Sequence, residues 1–112
     1  MLYYEYAAVE YQAGNLATAR KLIEQALHWT ELPQPWFYRL AGIIYAGQQD
    51  YAAARDILLQ GLDRFPQEAS LFIELAIVDK HLNQPEAAME AIENALALSD
   101  QPAANYLARA GV

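Results

Sequence analysis

Two histidines, His28 and His81, and three carboxylates, Glu86, Glu90 and Glu93, are the residues of this 112-residue chain best equipped for chemistry. A metal centre needs three or four ligands converging on one point. His28 and His81 stand far apart, with no ligand spacing between them. Each is expected near a helix C-terminus, where a partial positive charge is favourable. Glu86, Glu90 and Glu93 follow an i, i+4, i+7 spacing, which places them along one edge of a helix. The plain reading is a solvated acidic face, and the sharper one a site for a cation or a basic partner. The chain has no cysteine, which removes disulfide and thiolate chemistry. No Ser-His-Asp arrangement, phosphate-cradling glycine loop or zinc spacing is present. Nothing favours paired catalytic carboxylates. The expectation is a protein that is not an enzyme and needs neither cofactor nor metal.

Composition narrows the partners. The formal net charge is −7, with acids dispersed from Glu5 to Asp100 and seven Lys and Arg scattered among them. A nucleic-acid backbone requires a clustered basic footprint, so no nucleic-acid partner is expected. No window approaches the roughly 18 apolar residues of a membrane span. The opening "MLYYEYAAVEYQAGN" lacks the basic start and apolar run of a signal peptide. A cytoplasmic location is favoured if Met1 is the natural start. Helical patterning begins at once with no capping residue ahead of it, which suggests a piece of a longer protein.

What elements must position the side chains? Three segments align: "LATARKLIEQALHW" from Leu16, "YAAARDILLQGLDRF" from Tyr51 and "PEAAMEAIENALALS" from Pro85. Their anchoring alanines, Ala19, Ala54 and Ala88, give a period of 35 and then 34 residues. Ile23, Leu58 and Ile92 follow four residues on, and then Ala26, Gly61 and Ala95, each before a leucine. A second helical stretch precedes each segment and ends in a break: "AGN", "AGQQD" or "LNQP". Gly14 and Asn83 suit a left-handed helix end. Asn15 and Asp50 suit N-caps, and Pro85 a first turn. Pro33, Pro35, Pro66 and Pro102 punctuate the units. The spacing predicts helices near 2–13, 16–29, 35–47, 51–64, 69–82, 85–98 and 103–110.

A 34-residue helix-turn-helix unit resembles the tetratricopeptide repeat. The second unit carries the resemblance best, with Tyr38, the pair Ala41–Gly42, Tyr45, Ala54, Gly61 and Pro66. The resemblance implies an all-α, right-handed superhelical solenoid of three repeats (1–33, 34–67, 68–101) with a capping helix at 102–112. Departures are Glu10 and Asp79 where the family has Tyr, and Gln49 where its turn glycine is expected. Small residues Ala7, Gly42 and Ala76 should meet Ala19, Ala54 and Ala88 at the helix crossings. Tyr3, Tyr38 and Phe72, with Ile23, Leu58 and Ile92, should interleave around them. Trp29 is expected to brace the turn into the second unit.

The stretch "WFYRLAGIIYAG" has one charge, Arg39, in twelve residues. Tyr38, Ala41, Gly42 and Tyr45 belong to the repeat core, with Phe37 and Ile44 turned to neighbouring helices. Trp36, Arg39, Leu40, Ile43 and Gly47 remain as one stripe. In the family that stripe lines a concave groove that grips an extended peptide or a helix. The expected partner-binding groove is Tyr4, Ala8, Tyr11, Trp36, Arg39, Leu40, Ile43, Ile73, Ile77 and Lys80, with Glu5 and Glu74 among its charges. The implied function is a protein-interaction module for a hydrophobic or amphipathic segment. The alternative is an assembly segment that self-associates, as a homo-oligomer, through the groove or an open end. The family's groove for heat-shock chaperone C-terminal tails uses Lys and Asn on the first helix. Here those slots hold Tyr4 and Ala8, so chaperone tails are set aside as partners.

Overall fold

The three breaks read from the sequence become three tight helical corners in the computed structural model, which describes residues 2–98. Gly14 and Asn83 take the left-handed conformation, with φ of 88° and 62°. Gln49 does the same at 65°, filling the turn-glycine slot with a residue that bears a Cβ. That conformation is strained for such a residue, by roughly 1–2 kcal/mol. The corners separate α1 (Leu2–Gln12), α2 (Leu16–Trp29), α3 (Pro35–Gly47), α4 (Tyr51–Arg64), α5 (Ala69–His81) and α6 (Pro85–Leu98). The helix expected at 103–110 lies outside the described residues. Asp50 caps α4 by accepting from the Ala53 backbone N–H at 3.3 Å. Asn15 makes no such cap on α2, because its side chain donates to Glu10 instead, at 2.6 Å.

Each helix packs on the next in sequence, and α3 also touches both α1 and α5. The backbones of α2, α4 and α6 do not approach one another closely. The first helix of each pair therefore lies on an inner layer and the second on an outer layer, in an elongated body of 46 × 28 × 26 Å. The crossings are as tight as the small residues suggest. Ala7, Ala19 and Ala54 are fully buried, and Ala76 and Ala88 nearly so. A Cβ added at Gly42 would stand 2.8 Å from Leu58 Cδ2.

Towards the ends the interleaved core loosens. Ile23 and Leu58 are fully buried, but Ile92 at the matching place is 47 % exposed, and Tyr3, the counterpart of Tyr38, is also exposed. The expectation of a core role for Ile92 and Tyr3 is thus corrected. Both sit on terminal units, where no further described helix covers them. Trp29 is also mostly exposed, with its indole N–H donating to Gln25 at 2.8 Å and its ring edge-on to His28. It does not brace the next unit, because it falls on the outer face of the last turn of α2.

Polar contacts pin one pair of helices to the next at matching places. Arg20 on α2 reaches the second pair: its guanidinium lies over the Tyr45 ring at 4.3 Å and donates to Asp50 at 3.0 Å and Gln48 at 3.1 Å. Arg55, its counterpart on α4, donates to Asp79 at 2.7 Å. Tyr45 and Asp79 occupy the same place in successive units, so a phenol and a carboxylate receive the same cation.

Burial of Tyr45 beside Glu24, to which its hydroxyl donates at 3.0 Å, pushes the phenol up to about 12. The folded state thus prefers the protonated phenol, and this contribution is complete below the ordinary tyrosine value near 10. It is lost as pH rises from about 10 towards about 12. Tyr45→Phe should flatten the fall in melting temperature across that window. An unchanged alkaline profile would show that the phenol reaches water.

Candidate peptide-binding groove

The inner layer of α1, α3 and α5 has two direct ties. The Tyr4 ring of α1 packs on Phe37 of α3, with centroids 4.8 Å apart and planes tilted by 36°. Arg39 of α3 pairs with Glu74 of α5, Nε to Oε2 at 3.4 Å. The Arg39 side chain is about half exposed and that of Glu74 only 16 % exposed, so the pair is one of surface strength, up to about 1 kcal/mol. Its stronger effect is to neutralise the middle of the layer. Desolvation raises the Tyr4 phenol above its ordinary value, with nearby Arg39 opposing the rise, so Tyr4 is neutral near pH 7.

The expected groove residues divide by depth. Trp36, Ile73 and Ile77 stand open, at 51 %, 49 % and 47 % exposure. Arg39 and Lys80 are exposed beside them, as is Glu5. Tyr4, Ala8, Tyr11 and Ile43 are half-buried. Leu40 differs from the expectation: only 9 % of it is exposed. It lies one position beyond Arg39 towards Ala41, and that rotation turns its side chain into the packing of α3. The layer therefore offers three exposed apolar side chains, with half-buried Tyr4, Tyr11 and Ile43 on the same helices and little net charge. Such a surface suits van der Waals contact with an apolar segment.

One part of this surface was not expected. Ile77 and Lys80 also line a cleft of about 330 Å³ with Ala76, Asn83, Pro85, Ala88, Met89 and Ile92. The sequence signal was present in the Ile23–Leu58–Ile92 series, because each of these residues must be covered by the helix that follows it. Among the described residues no group of three His, Asp or Glu is placed to hold a metal ion. No described helix is long and apolar enough to cross a membrane.

Neither a family model nor a curated protein matches the sequence. Solved structures do match the fold. The chain is similar to PcrH crystallised in complex with the chaperone-binding region of PopB, with 26 % identity, a TM-score of 0.82, and 98 % of this chain and 90 % of that one covered. It is also similar to PcrH from Pseudomonas aeruginosa, with 23 % identity, a TM-score of 0.82, and 98 % and 84 % covered. The first of these corrects the expectation that set chaperone C-terminal tails aside as partners. The missing Lys–Asn clamp speaks only to recognition of a terminal carboxylate, whereas a structure of this shape engages a chaperone-binding region. The helices of this chain thus form a tetratricopeptide-like, all-α helical repeat fold, shared with proteins that bind a partner chain.

Proposed function

We propose that this protein is a binding module, chaperone-like in mode, that holds an apolar stretch of a partner protein along the layer of α1, α3 and α5. The observation that carries this reading is the open apolar set Trp36, Ile73 and Ile77 above the half-buried Tyr4 and Ile43. Exposed apolar surface of this kind marks interaction sites, and aromatic anchors such as Trp36 commonly dominate their energetics. Similarity to PcrH, itself crystallised with a partner region, supports the same direction. The recognised segment is mainly apolar, spaced as a strand or an amphipathic helix. It needs no terminal carboxylate. Catalysis has no part in this reading.

The test is fluorescence anisotropy with a panel of labelled peptides of alternating or helical apolar pattern, the chaperone-binding region of PopB among them. Ile73→Glu with Ile77→Glu should weaken the best binder at least tenfold, which is about 1.4 kcal/mol. Both side chains are about half exposed, so the far-UV circular dichroism should stay helical. Leu40 is unsuited to this test because it is buried. Equal affinity in the double variant would overturn the groove.

A further inference from the structure

The two joints between units, built around Arg20 and Arg55, are not equally filled. In the first, Tyr45 puts its ring beneath Arg20 and is only 7 % exposed. In the second, Asp79 stands at the place of Tyr45, and Ala91 at the place of Ile57. A phenol and a branched aliphatic side chain give way to a short carboxylate and a methyl group. At that joint lies a cleft of about 260 Å³, lined from α4, α5 and α6. It shares no residue with the proposed groove. On α5 it uses Phe72, Leu75 and Asp79, a different face from Ile73 and Ile77.

The polar atoms of this cleft are unevenly satisfied. Asp79 is 1 % exposed, and its Oδ1 accepts from Arg55 at 2.7 Å. Its Oδ2 is buried and has no hydrogen-bond partner among the described residues. A buried acceptor left without a donor is destabilising and uncommon. Arg55 is already engaged on Oδ1, so Oδ2 is the acceptor left for whatever enters. Glu90 and Asn94, both exposed on α6, bring a second carboxylate and an amide to the same cleft. One cation thus faces two carboxylates, and the surplus charge is negative. Of the acidic edge Glu86, Glu90 and Glu93, only Glu90 lines the cleft. Leu59, Phe72 and Leu75 make the rest of the lining largely apolar.

We infer that this cleft binds a small primary ammonium ion with an apolar body, its N–H groups donating to Asp79 Oδ2 and Glu90. The apolar body takes the place that the Tyr45 ring fills at the preceding joint, against Leu59, Phe72 and Leu75. The charge requirement follows from the second carboxylate, because a neutral donor would leave Glu90 unanswered and an anion would meet both acids. The shape requirement follows from burial. Asp79 is barely exposed, so the donor must be the narrow end of the ligand. A quaternary ammonium is too broad and has no N–H to give. Benzylammonium, a ring on one methylene, meets every condition.

The test titrates the full chain with benzylammonium chloride at pH 7 and constant ionic strength, following leucine methyl resonances by NMR. Leu59 and Leu75 should shift saturably, with a Kd of about 1 mM, the range open to a ligand this small. Benzyl alcohol, benzoate and benzyltrimethylammonium should each bind at least about tenfold more weakly. Asp79→Tyr restores the filled joint of the preceding unit and should abolish binding while the far-UV circular dichroism stays helical. Glu90→Gln alters only an exposed side chain and should weaken binding about threefold. Unchanged affinity in either variant would overturn the inference, as would equal binding of the alcohol or the quaternary ion. Shifts that never saturate would show that the cleft holds only water, and would overturn it too.

Discussion

Replacing Arg55 with alanine should lower the unfolding free energy by about 3 kcal/mol, measured by urea denaturation. Asp79 is only 1 % exposed, and its Oδ1 accepts from Arg55 at 2.7 Å. Its Oδ2 has no partner among the described residues. Removing the cation leaves a buried carboxylate with nothing to offset its lost hydration, which costs about 3–5 kcal/mol for a fully buried pair. Arg55 is about a third exposed, which places this pair at the lower end of that range. In a chain of this size the loss corresponds to about 15 °C in melting temperature. Arg55→Leu combined with Asp79→Leu removes both charges and should sit within about 1 kcal/mol of the parent. Arg20→Ala, at the matching place in the preceding unit, should cost less, about 1 kcal/mol, because Glu24 and Asp50 are 49 % and 40 % exposed and regain water. Equal losses at Arg20 and Arg55 would mean that burial is not what separates them.

The second large effect belongs to Gly61. A Cβ there would stand 2.7 Å from Tyr38 Cβ and 2.9 Å from Tyr38 Cγ, on the crossing of α3 and α4. Those atoms sit next to the backbone and cannot swing aside as a side-chain tip can. Gly61→Ala gains about 1 kcal/mol of helix propensity and should nevertheless destabilise, because overpacking costs about 1–3 kcal/mol. Gly61→Leu should cost at least about 3 kcal/mol or prevent folding. Gly47 provides the contrast. Its added Cβ would meet only Leu16 Cδ1 at 3.3 Å and Cδ2 at 3.6 Å, the movable tip of a side chain. Gly47→Ala should be neutral or stabilising by up to about 1 kcal/mol. A stabilised Gly61→Ala variant would contradict the tight crossing.

Much of the fold was legible because the repeat repeats its sterics. A small residue at each crossing and a left-handed corner after each inner helix recur at fixed spacing, and the described helices follow that spacing almost to the residue. The candidate groove was legible only as a face. Trp36, Ile43, Ile73 and Ile77 have the exposure or half-burial a groove requires, but Leu40 does not. Periodicity assigns a helical residue to a stripe about a third of a turn wide. A side chain at the stripe's edge is settled by the crossing angle of the next helix, which the period does not encode. The Arg55–Asp79 pair was hidden for a related reason. Its members lie 24 residues apart on different helices, and Asp79 read simply as a departure from tyrosine. Exposure of Trp29 and Ile92 likewise depends on what stands beyond each unit and not on the unit itself.

Isoleucine methyl NMR during titration with the tightest-binding peptide of the panel is the most direct test of the groove. The chain has seven isoleucines, placed as a map of the molecule. Ile43, Ile73 and Ile77 lie on the inner layer, Ile23, Ile44 and Ile57 in the core, and Ile92 midway along the exposed face of α6. Binding along α1, α3 and α5 should shift or broaden Ile43, Ile73 and Ile77 and leave Ile23 and Ile57 nearly still. Saturable binding that moves Ile92 alone, or that leaves Ile73 and Ile77 unmoved, would contradict it.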